Sequence, residues 1–387
     1  MTESPKSSAS AIFGPLPGRP LRLIFVARKF ANMAGGLERI SIDLMNEMTR
    51  RGYQVGLMTW DDRSAETHYP LDTRVRWLKL DIGNPEIPSD FGERLARLAR
   101  FRSFVKEFQP DVILGFQSGA ALFSRIATLG LRIPILAAER VSPDMWRYVR
   151  TGFRYRILDV YSLALADRIT VQFPDYKKRY PRILWRKIVA IHNPVSHRPS
   201  DRCVANDSSE KILLYVARFC FQKNHELLIN AFAQLSDSFK DWKLVLAGDG
   251  EYDKRVREQV IRMGLADRVV FCGAVRDVDS WYGKADLVAF PSYFEGFPNA
   301  LAEALAWGIP CVGLRNTLGV NSLIEDKVSG LLVDGTPEAF ACGLATLMRD
   351  PEMRERMSTA ARAISTRYSP QNSYELWDSL LRKMSLC

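Results

Sequence analysis

The chain has 387 residues, of which 47% are hydrophobic and 25% charged, the balance of a globular protein with a large core. No apolar stretch approaches the roughly 18 residues that span a bilayer, and the six cysteines (Cys203, Cys220, Cys272, Cys311, Cys342, Cys387) form no CxxC pair, which excludes a disulfide framework and fits a reducing cytoplasm. The net charge of +10 is held by residues 1–200, the remainder being slightly acidic, so one surface is expected to meet anions such as lipid head groups, nucleic acid or phosphorylated substrates.

Residues 1–19 are polar and read as a flexible leader. The first apolar run, 23–27, is too short for the hydrophobic region of a signal peptide. Short apolar runs then alternate with helical patterns. Strands are expected at 21–27, 54–59, 75–80, 111–116, 133–137, 169–172 and 188–191, and helices at 37–51, 90–108, 118–129 and 144–166. Such alternation implies a parallel sheet wrapped on both faces. After Asn193-Pro194-Val195, residues 196–210 are polar, lack apolar periodicity and read as an interdomain linker. The alternation restarts with strands at 211–217, 243–247, 268–271, 287–290, 311–314 and 331–333. From Thr336 the pattern is almost wholly helical, and 368–387 is expected to be a helix that packs back toward the N-terminal domain. The expected architecture is α/β, with doubly wound domains at 20–195 and 211–367 facing a cleft. Ligands in such sheets sit at the carboxyl ends of strands, near helix N-termini.

The most informative stretch is 291–303, Pro-Ser-Tyr-Phe-Glu-Gly-Phe-Pro-Asn-Ala-Leu-Ala-Glu. It follows the strand 287–290, and Pro298 suits the first turn of a helix running to Trp307. Asn299, Ala300 and Leu301 would then present free backbone N–H groups, a ready site for a diphosphate. Gly296 lets the backbone approach a ligand closely. Glu295 in the loop and Glu303 in the helix could accept hydrogen bonds from sugar and ribose hydroxyls on either side of the phosphates. The plainer alternative makes Glu295 a helix cap and Glu303 a solvated residue.

Arg218 and Lys223 bracket the loop after the first strand of the second half. Both could reach one diphosphate, arginine as a fork and lysine as a point charge; ordinary surface cations are the alternative. Gly35 and Gly36, in Met-Ala-Gly-Gly-Leu-Glu (33–38), open the first helix and would allow a phosphate close from across the cleft, unless they form a plain turn. Gly248-Asp249-Gly250 is a similar, weaker turn. Asp277-Val278-Asp279 spells a metal motif but starts a surface helix away from the phosphate candidates. His68, His192, His197 and His225 lack ligand spacing, so no metal is expected.

Together these motifs resemble family 4 of the retaining glycosyltransferases, which have the GT-B fold. The resemblance spans nearly the whole chain and is most specific at Glu-x7-Glu with Gly296-Phe297-Pro298-Asn299-Ala300. It implies that Arg218 and Lys223 hold the donor diphosphate, that Glu295 contacts the donor sugar as the catalytic carboxylate, and that Glu303 binds the ribose. It further implies that the backbone of Phe297 to Leu301 meets sugar and phosphates, with Gly35 and Gly36 facing them. No metal or other cofactor is implied, because cations and the helix dipole neutralise the leaving group. One departure lies at Ala138-Glu139-Arg140-Val141-Ser142-Pro143, where many members carry a histidine. It looks like the Ser-Glu-Arg variant of bacterial surface-polysaccharide and lipid-linked oligosaccharide transferases. Glu139 and Arg140 are candidates to replace that histidine, or else a structural pair at a strand end.

In the helix expected at 144–166, Trp146, Val149, Phe153, Ile157, Val160 and Ala164 make an apolar stripe flanked by Arg147, Arg150 and Arg154. Lys177, Lys178, Arg179, Arg182, Arg186 and Lys187 follow. A basic amphipathic helix of this kind can lie on an anionic leaflet, or the stripe can pack into the domain core. The expected activity is transfer of a hexosyl or N-acetylhexosaminyl unit from a UDP-sugar, with retention, to a glycan linked to polyprenyl diphosphate. The expected location is the cytoplasm, with peripheral contact at the inner membrane, and no nucleic-acid partner, since no recognised module appears. The rivals are a GT-B synthase with a soluble sugar acceptor and a catalytically silent sugar-nucleotide-binding protein. A dinucleotide oxidoreductase is disfavoured, because no GxGxxG follows the first strand of either half.

Overall fold

The computed structural model describes residues 19–386 apart from 32, 34, 86, 88, 149–151 and 199–209, and for 152–155 the backbone alone. Most of the expected leader and linker therefore lies outside the described residues, as do Cys203, Cys387, Val149, Arg150 and the side chains of Phe153 and Arg154.

Seven strands form the first sheet: β1 (Arg22–Val26), β2 (Gln54–Thr59), β3 (Arg76–Lys79), β4 (Val112–Phe116), β5 (Ile135–Ala138), β6 (Arg168–Val171) and β7 (Ile188–Ala190). Their order is β3-β2-β1-β4-β5-β6-β7, every pair parallel. The second sheet holds β8 (Lys211–Val216), β9 (Trp242–Ala247), β10 (Val269–Gly273), β11 (Leu287–Phe290), β12 (Cys311–Leu314) and β13 (Gly330–Val333). Its order is β10-β9-β8-β11-β12-β13, again parallel throughout. Central strands of such sheets are covered on both faces, so they are apolar runs rather than alternating ones. β4, Val-Ile-Leu-Gly-Phe, is buried at every position. Each sheet reverses its order once, between β1 and β4 and between β8 and β11. These switch points open crevices at the carboxyl ends of the strands.

One hydrophobic core covers one face of the first sheet. There Phe25, Met45 and Leu57 pack against Trp377, Leu381 and Met384. Those last three belong to the helix Pro370–Ser385, which Ser369 caps by accepting from the Asn372 N–H. Tyr53 Oη donates to Asp378 Oδ1 at 2.6 Å, and Ser373 Oγ donates to His192 O at 2.7 Å, so the end of the chain is fastened to the N-terminal domain. The other core is continuous between the domains through Phe173, Tyr176, Phe297 and Tyr368. The Phe173 and Phe297 rings stack with centroids 5.3 Å apart and planes 8° apart.

One expected element is divided. Residues 144–166 form a 3-10 turn, Met145–Arg147, and a separate helix, Gly152–Ala164. Gly152 opens the second helix, a poor helix former inside the expected span, and the apolar periodicity of the segment is too broad to mark it. Val160 packs against the core, but Ile157 and Ala164 are exposed, so the stripe is not a single buried face. No described helix is long and apolar enough to cross a membrane.

Candidate active site

After β8 the chain turns through residues 217–224 into the helix His225–Ala233. The turn is a 3-10 segment, Phe221–Lys223, closed by Asn224 with φ 50°, whose side chain accepts from the Leu227 N–H. Asparagine tolerates this left-handed geometry better than most residues. Gly248 and Gly250, with φ of 146° and 148°, back this loop closely. A Cβ on Gly248 would stand 2.0 Å from Ala217 O, and one on Gly250 2.5 Å from Phe219 O. The Gly-Asp-Gly turn thus supports the backbone that carries Arg218.

The turn directs Lys223 across the end of the sheet to the loop after β11. Lys223 Nζ lies 2.6 Å from Glu295 Oε1. Gln222 Nε2 donates to Phe294 O at 2.7 Å and to Glu295 Oε2 at 3.3 Å. Glu295 is only 5% exposed, so these partners rather than water answer its carboxylate oxygens.

The helix expected from Pro298 begins one residue later, Asn299–Ala306. Pro298 has φ −76° and ψ 81°, an extended ψ that leaves it as the cap. The first backbone bond inside the helix is Ala302 N to Pro298 O, at 3.0 Å. The N–H groups of Asn299, Ala300 and Leu301 lie ahead of it, the arrangement that favours anions.

Glu303 forms an ion pair with Arg39, which reaches across from the helix Gly36–Arg50 of the other domain. Tyr282 Oη lies 3.3 Å from Glu303 Oε2 and donates to Ala300 O at 3.0 Å. Gly36 faces Asn299 closely enough that a Cβ would be 2.7 Å from Asn299 Nδ2. Asn299 Oδ1 accepts from Asn193 Nδ2 at 3.0 Å. A Cβ on Gly35 would meet Glu38 Oε2 at 2.1 Å. Burial raises the Glu38 pKa, and the nearby Arg218 guanidinium partly offsets this. Arg218 itself is exposed. Lys223 thus meets Glu295, Gly36 meets Asn299, and Gly35 and Arg218 meet at Glu38, all near the junction of the two domains.

Three residues of the expected site also make contacts within the protein. Gly296 admits protein backbone: a Cβ there would stand 2.1 Å from Arg140 O of the N-terminal domain. The Phe297 side chain is spent on the aromatic contact between the domains. Arg140 reaches Asn193 Oδ1 at 3.4 Å. Its guanidinium donates to Ile191 O at 3.2 Å and lies 4.9 Å from the Trp377 ring centre, and burial lowers its pKa to about 10. It fastens the last helix to the sheet. Glu139, its neighbour, stays at the end of β5 and lines a separate pocket of the N-terminal domain.

Asp277 and Asp279 have ordinary partners. Asp277 Oδ1 accepts from Ser280 N at 3.2 Å, and Asp279 pairs with Arg198 at 2.9 Å. Among the described residues no group of three His, Cys, Asp or Glu side chains is placed to hold a metal ion. His225 lies between the Tyr215 and Phe219 rings, where burial pushes its pKa down to about 3.

Sequence reasoning missed Arg39, Tyr176, Asn193, Gln222 and Tyr282. Gln222 adjoins Lys223, and Arg39 follows the Gly-Gly-Leu-Glu run, so adjacency offered a signal for both. Tyr176 has none: its buried hydroxyl donates to Gly296 O at 2.5 Å and lies 2.9 Å from Glu295 O.

Known proteins resemble this chain in sequence and fold. The family model described as Glycosyltransferase Family 4 matches residues 34–198, and the one described as Glycosyl transferases group 1 matches residues 200–364. An uncharacterized glycosyltransferase of Haemophilus influenzae is 26% identical over 357 residues, covering 90% of this chain and 96% of its own length. A Campylobacter jejuni enzyme, GalNAc-alpha-(1->4)-GalNAc-alpha-(1->3)-diNAcBac-PP-undecaprenol alpha-1,4-N-acetyl-D-galactosaminyltransferase, is 24% identical over 359 residues, 91% of this chain and 96% of its own. Among solved structures, sucrose-phosphate synthase from Thermosynechococcus elongatus superposes with a TM-score of 0.83 at 18% identity, over 94% of this chain and 99% of that one, which shows a common fold. With a Family 4 domain followed by a group 1 domain, and two Rossmann-like sheets facing one cleft, the chain belongs to the family 4 glycosyltransferases of the GT-B fold.

Proposed function

We propose that this glycosyltransferase moves a hexosyl or N-acetylhexosaminyl unit from a UDP-sugar to a glycan carried on polyprenyl diphosphate, in the building of surface polysaccharide. The observation that carries this reading is the N-terminus of the helix Asn299–Ala306 facing Gly36 of the other domain, with Lys223 held on Glu295 in the loop before it and Arg218 beside Glu38, which packs on Gly35. Two cations and three free N–H groups suit a diphosphate and neutralise it as it leaves, without a metal. Glu295 and Glu303 flank that position and accept hydroxyls of the sugar and the ribose. The acceptor oxygen attacks C1 on the face from which UDP departs. The C1–phosphate bond breaks, the acceptor proton passes to the leaving phosphate, and the configuration is retained. Lys223 holds Glu295 in place and shares its charge with the phosphate.

The Campylobacter relative names a polyprenyl-linked acceptor, which supports the same class here. So does the outer face of the N-terminal domain. Ile157, Leu158, Tyr161 and Ile183 are exposed there, Ile183 by 81%, among the exposed Arg156, Arg182 and Arg186. Lys187 Nζ ties these segments together by donating to Ala164 O at 2.6 Å. Apolar side chains set among cations suit the surface of an anionic leaflet, the peripheral inner-membrane location expected from sequence.

The experiment is calorimetric titration of UDP, GDP and ADP in EDTA. UDP should bind best, and Arg218→Ala and Lys223→Ala should each weaken it by about 1.5–3 kcal/mol, roughly 10- to 100-fold. A strict requirement for Mn²⁺, or unchanged affinity in both variants, would overturn the proposed phosphate site.

A further inference from the structure

The ion pair between Arg39 and Glu303 is placed by two helix starts that face each other across the domain junction. Gly36 opens one helix and Asn299 the other, and a Cβ on Gly36 would stand 2.7 Å from Asn299 Nδ2. Residues roughly one turn apart share a face of a helix. Arg39 stands about one turn after Gly36, and Glu303 about one turn after Asn299. Cation and carboxylate therefore meet one turn behind the proposed phosphate position. Both line a pocket of about 240 Å³ at this junction, together with Asp43 and Asn299.

The pair leaves Glu303 half open. Arg39 Nη2 donates to Oε1. On the other side Tyr282 Oη lies 3.3 Å from Oε2, but its one proton already serves Ala300 O at 3.0 Å. An ionised carboxylate has about four lone-pair sites, so most of the acceptor capacity of Glu303 stays open beside the pocket. The Glu303 side chain is 17% exposed and that of Arg39 is 38% exposed. An ion pair this exposed adds little stability. Its consequence lies in where it holds the carboxylate.

We propose that Arg39 is a positioning residue for nucleoside recognition. By holding Oε1 it aims Oε2 at the vicinal hydroxyls of a ribose, so the N-terminal domain sets how well the chain tells a ribonucleotide from a deoxyribonucleotide. Arg39 acts through Glu303 and touches neither sugar nor phosphate in this role. A glutamate without that tether turns about its own side-chain torsions, and each ligand must then order it; a tethered one is in place before the nucleotide arrives.

This inference rests on the ribose role proposed for Glu303, and the test reads the two separately. Calorimetry compares UDP with 2′-deoxy-UDP and 3′-deoxy-UDP on the wild type, Arg39→Ala, Arg39→Lys, Glu303→Gln and the variant carrying both Arg39→Ala and Glu303→Gln. The wild type should bind UDP about tenfold or more tightly than at least one deoxy analogue, the order of a hydrogen bond to a charged group. Arg39→Ala should weaken UDP binding by about fivefold or more and leave that analogue within about twofold, so that discrimination collapses. Arg39→Lys should restore it, because the contact is single and needs a charge rather than a fork. Adding Arg39→Ala to Glu303→Gln should change UDP affinity by less than about twofold. Discrimination kept in Arg39→Ala, a parallel loss of UDP and analogue, no recovery with lysine, or losses that multiply in the double variant would overturn the inference. A wild type that binds no UDP or treats all three nucleotides alike, or a Glu303→Gln variant that binds them as the wild type does, defeats the ribose role itself and the inference with it.

Discussion

Tyr176→Phe tests how the two domains hold the catalytic loop. Tyr176 is fully buried, and its hydroxyl donates to Gly296 O at 2.5 Å with Glu295 O at 2.9 Å. Burial pushes the phenol pKa well above its ordinary value, so the donor persists at any working pH. Phenylalanine keeps the ring against Phe173, 5.4 Å away, and removes only the hydroxyl. The consecutive carbonyls of Glu295 and Gly296 then lose this donor. A net hydrogen bond is worth about 1 kcal/mol and an orphaned buried acceptor costs about 1–3, so a loss of roughly 2 kcal/mol is expected. The same loop carries Glu295, and a displacement of about 1 Å at a reacting geometry can cost on the order of 100-fold in rate. Urea unfolding should show the stability loss, and steady-state kinetics with the preferred UDP-sugar a kcat lowered by about 10- to 100-fold with UDP affinity retained. A variant within 0.5 kcal/mol of wild type (about the error of such a comparison) and with normal kcat would refute the reasoning.

Gly296→Ala should cost about 1–3 kcal/mol and most of the activity, since its methyl would meet Arg140 O at 2.1 Å; normal activity and melting temperature would show that the domains do not need this approach. Glu139→Gln should change how stability depends on pH. The folded carboxyl keeps its proton to about pH 7, against an ordinary 4.5, so the native state binds more protons in that window and stability falls as pH rises through it, by up to about 3 kcal/mol. The glutamine variant should lose that slope and gain on wild type at pH 8, and an unchanged slope in denaturant titrations would contradict the burial of this carboxyl. Glu303→Ala should weaken UDP binding by about 1–3 kcal/mol, while Glu295→Ala should leave UDP binding and lower kcat, because free UDP has the ribose but no donor sugar. The reverse pattern in calorimetry and kinetics would exchange the two roles.

The strands were legible because each is a short apolar run between turn signals, the mark of strands covered on both faces. Boundaries moved by a residue or two, as at 75–80 against Arg76–Lys79. The motif around Glu295 was legible because a loop, a proline and a helix start lie together in the chain. What escaped were contacts between distant segments. Arg39 and Glu303 are 264 positions apart, and Tyr176 and Glu295 are 119 apart. No local periodicity reports such pairs. Gly296 was read as ligand-facing for the same reason: a glycine that admits protein backbone has the same spelling as one that admits a phosphate. The helix expected at 144–166 failed on its own punctuation, Gly152 outweighing a plausible stripe.

The most direct test of the central claim is a transfer assay in EDTA with the purified chain, a polyprenyl-diphosphate-linked N-acetylgalactosamine oligosaccharide and, in turn, UDP-glucose, UDP-galactose, UDP-N-acetylglucosamine and UDP-N-acetylgalactosamine. The anomeric proton of the product is read by NMR. The account predicts that one of these α-linked donors extends the acceptor by one sugar without added metal and that the new linkage is α. A β-linked product would contradict retention, and no transfer from any of the four donors would contradict the assignment as a UDP-sugar-dependent transferase of lipid-linked glycans.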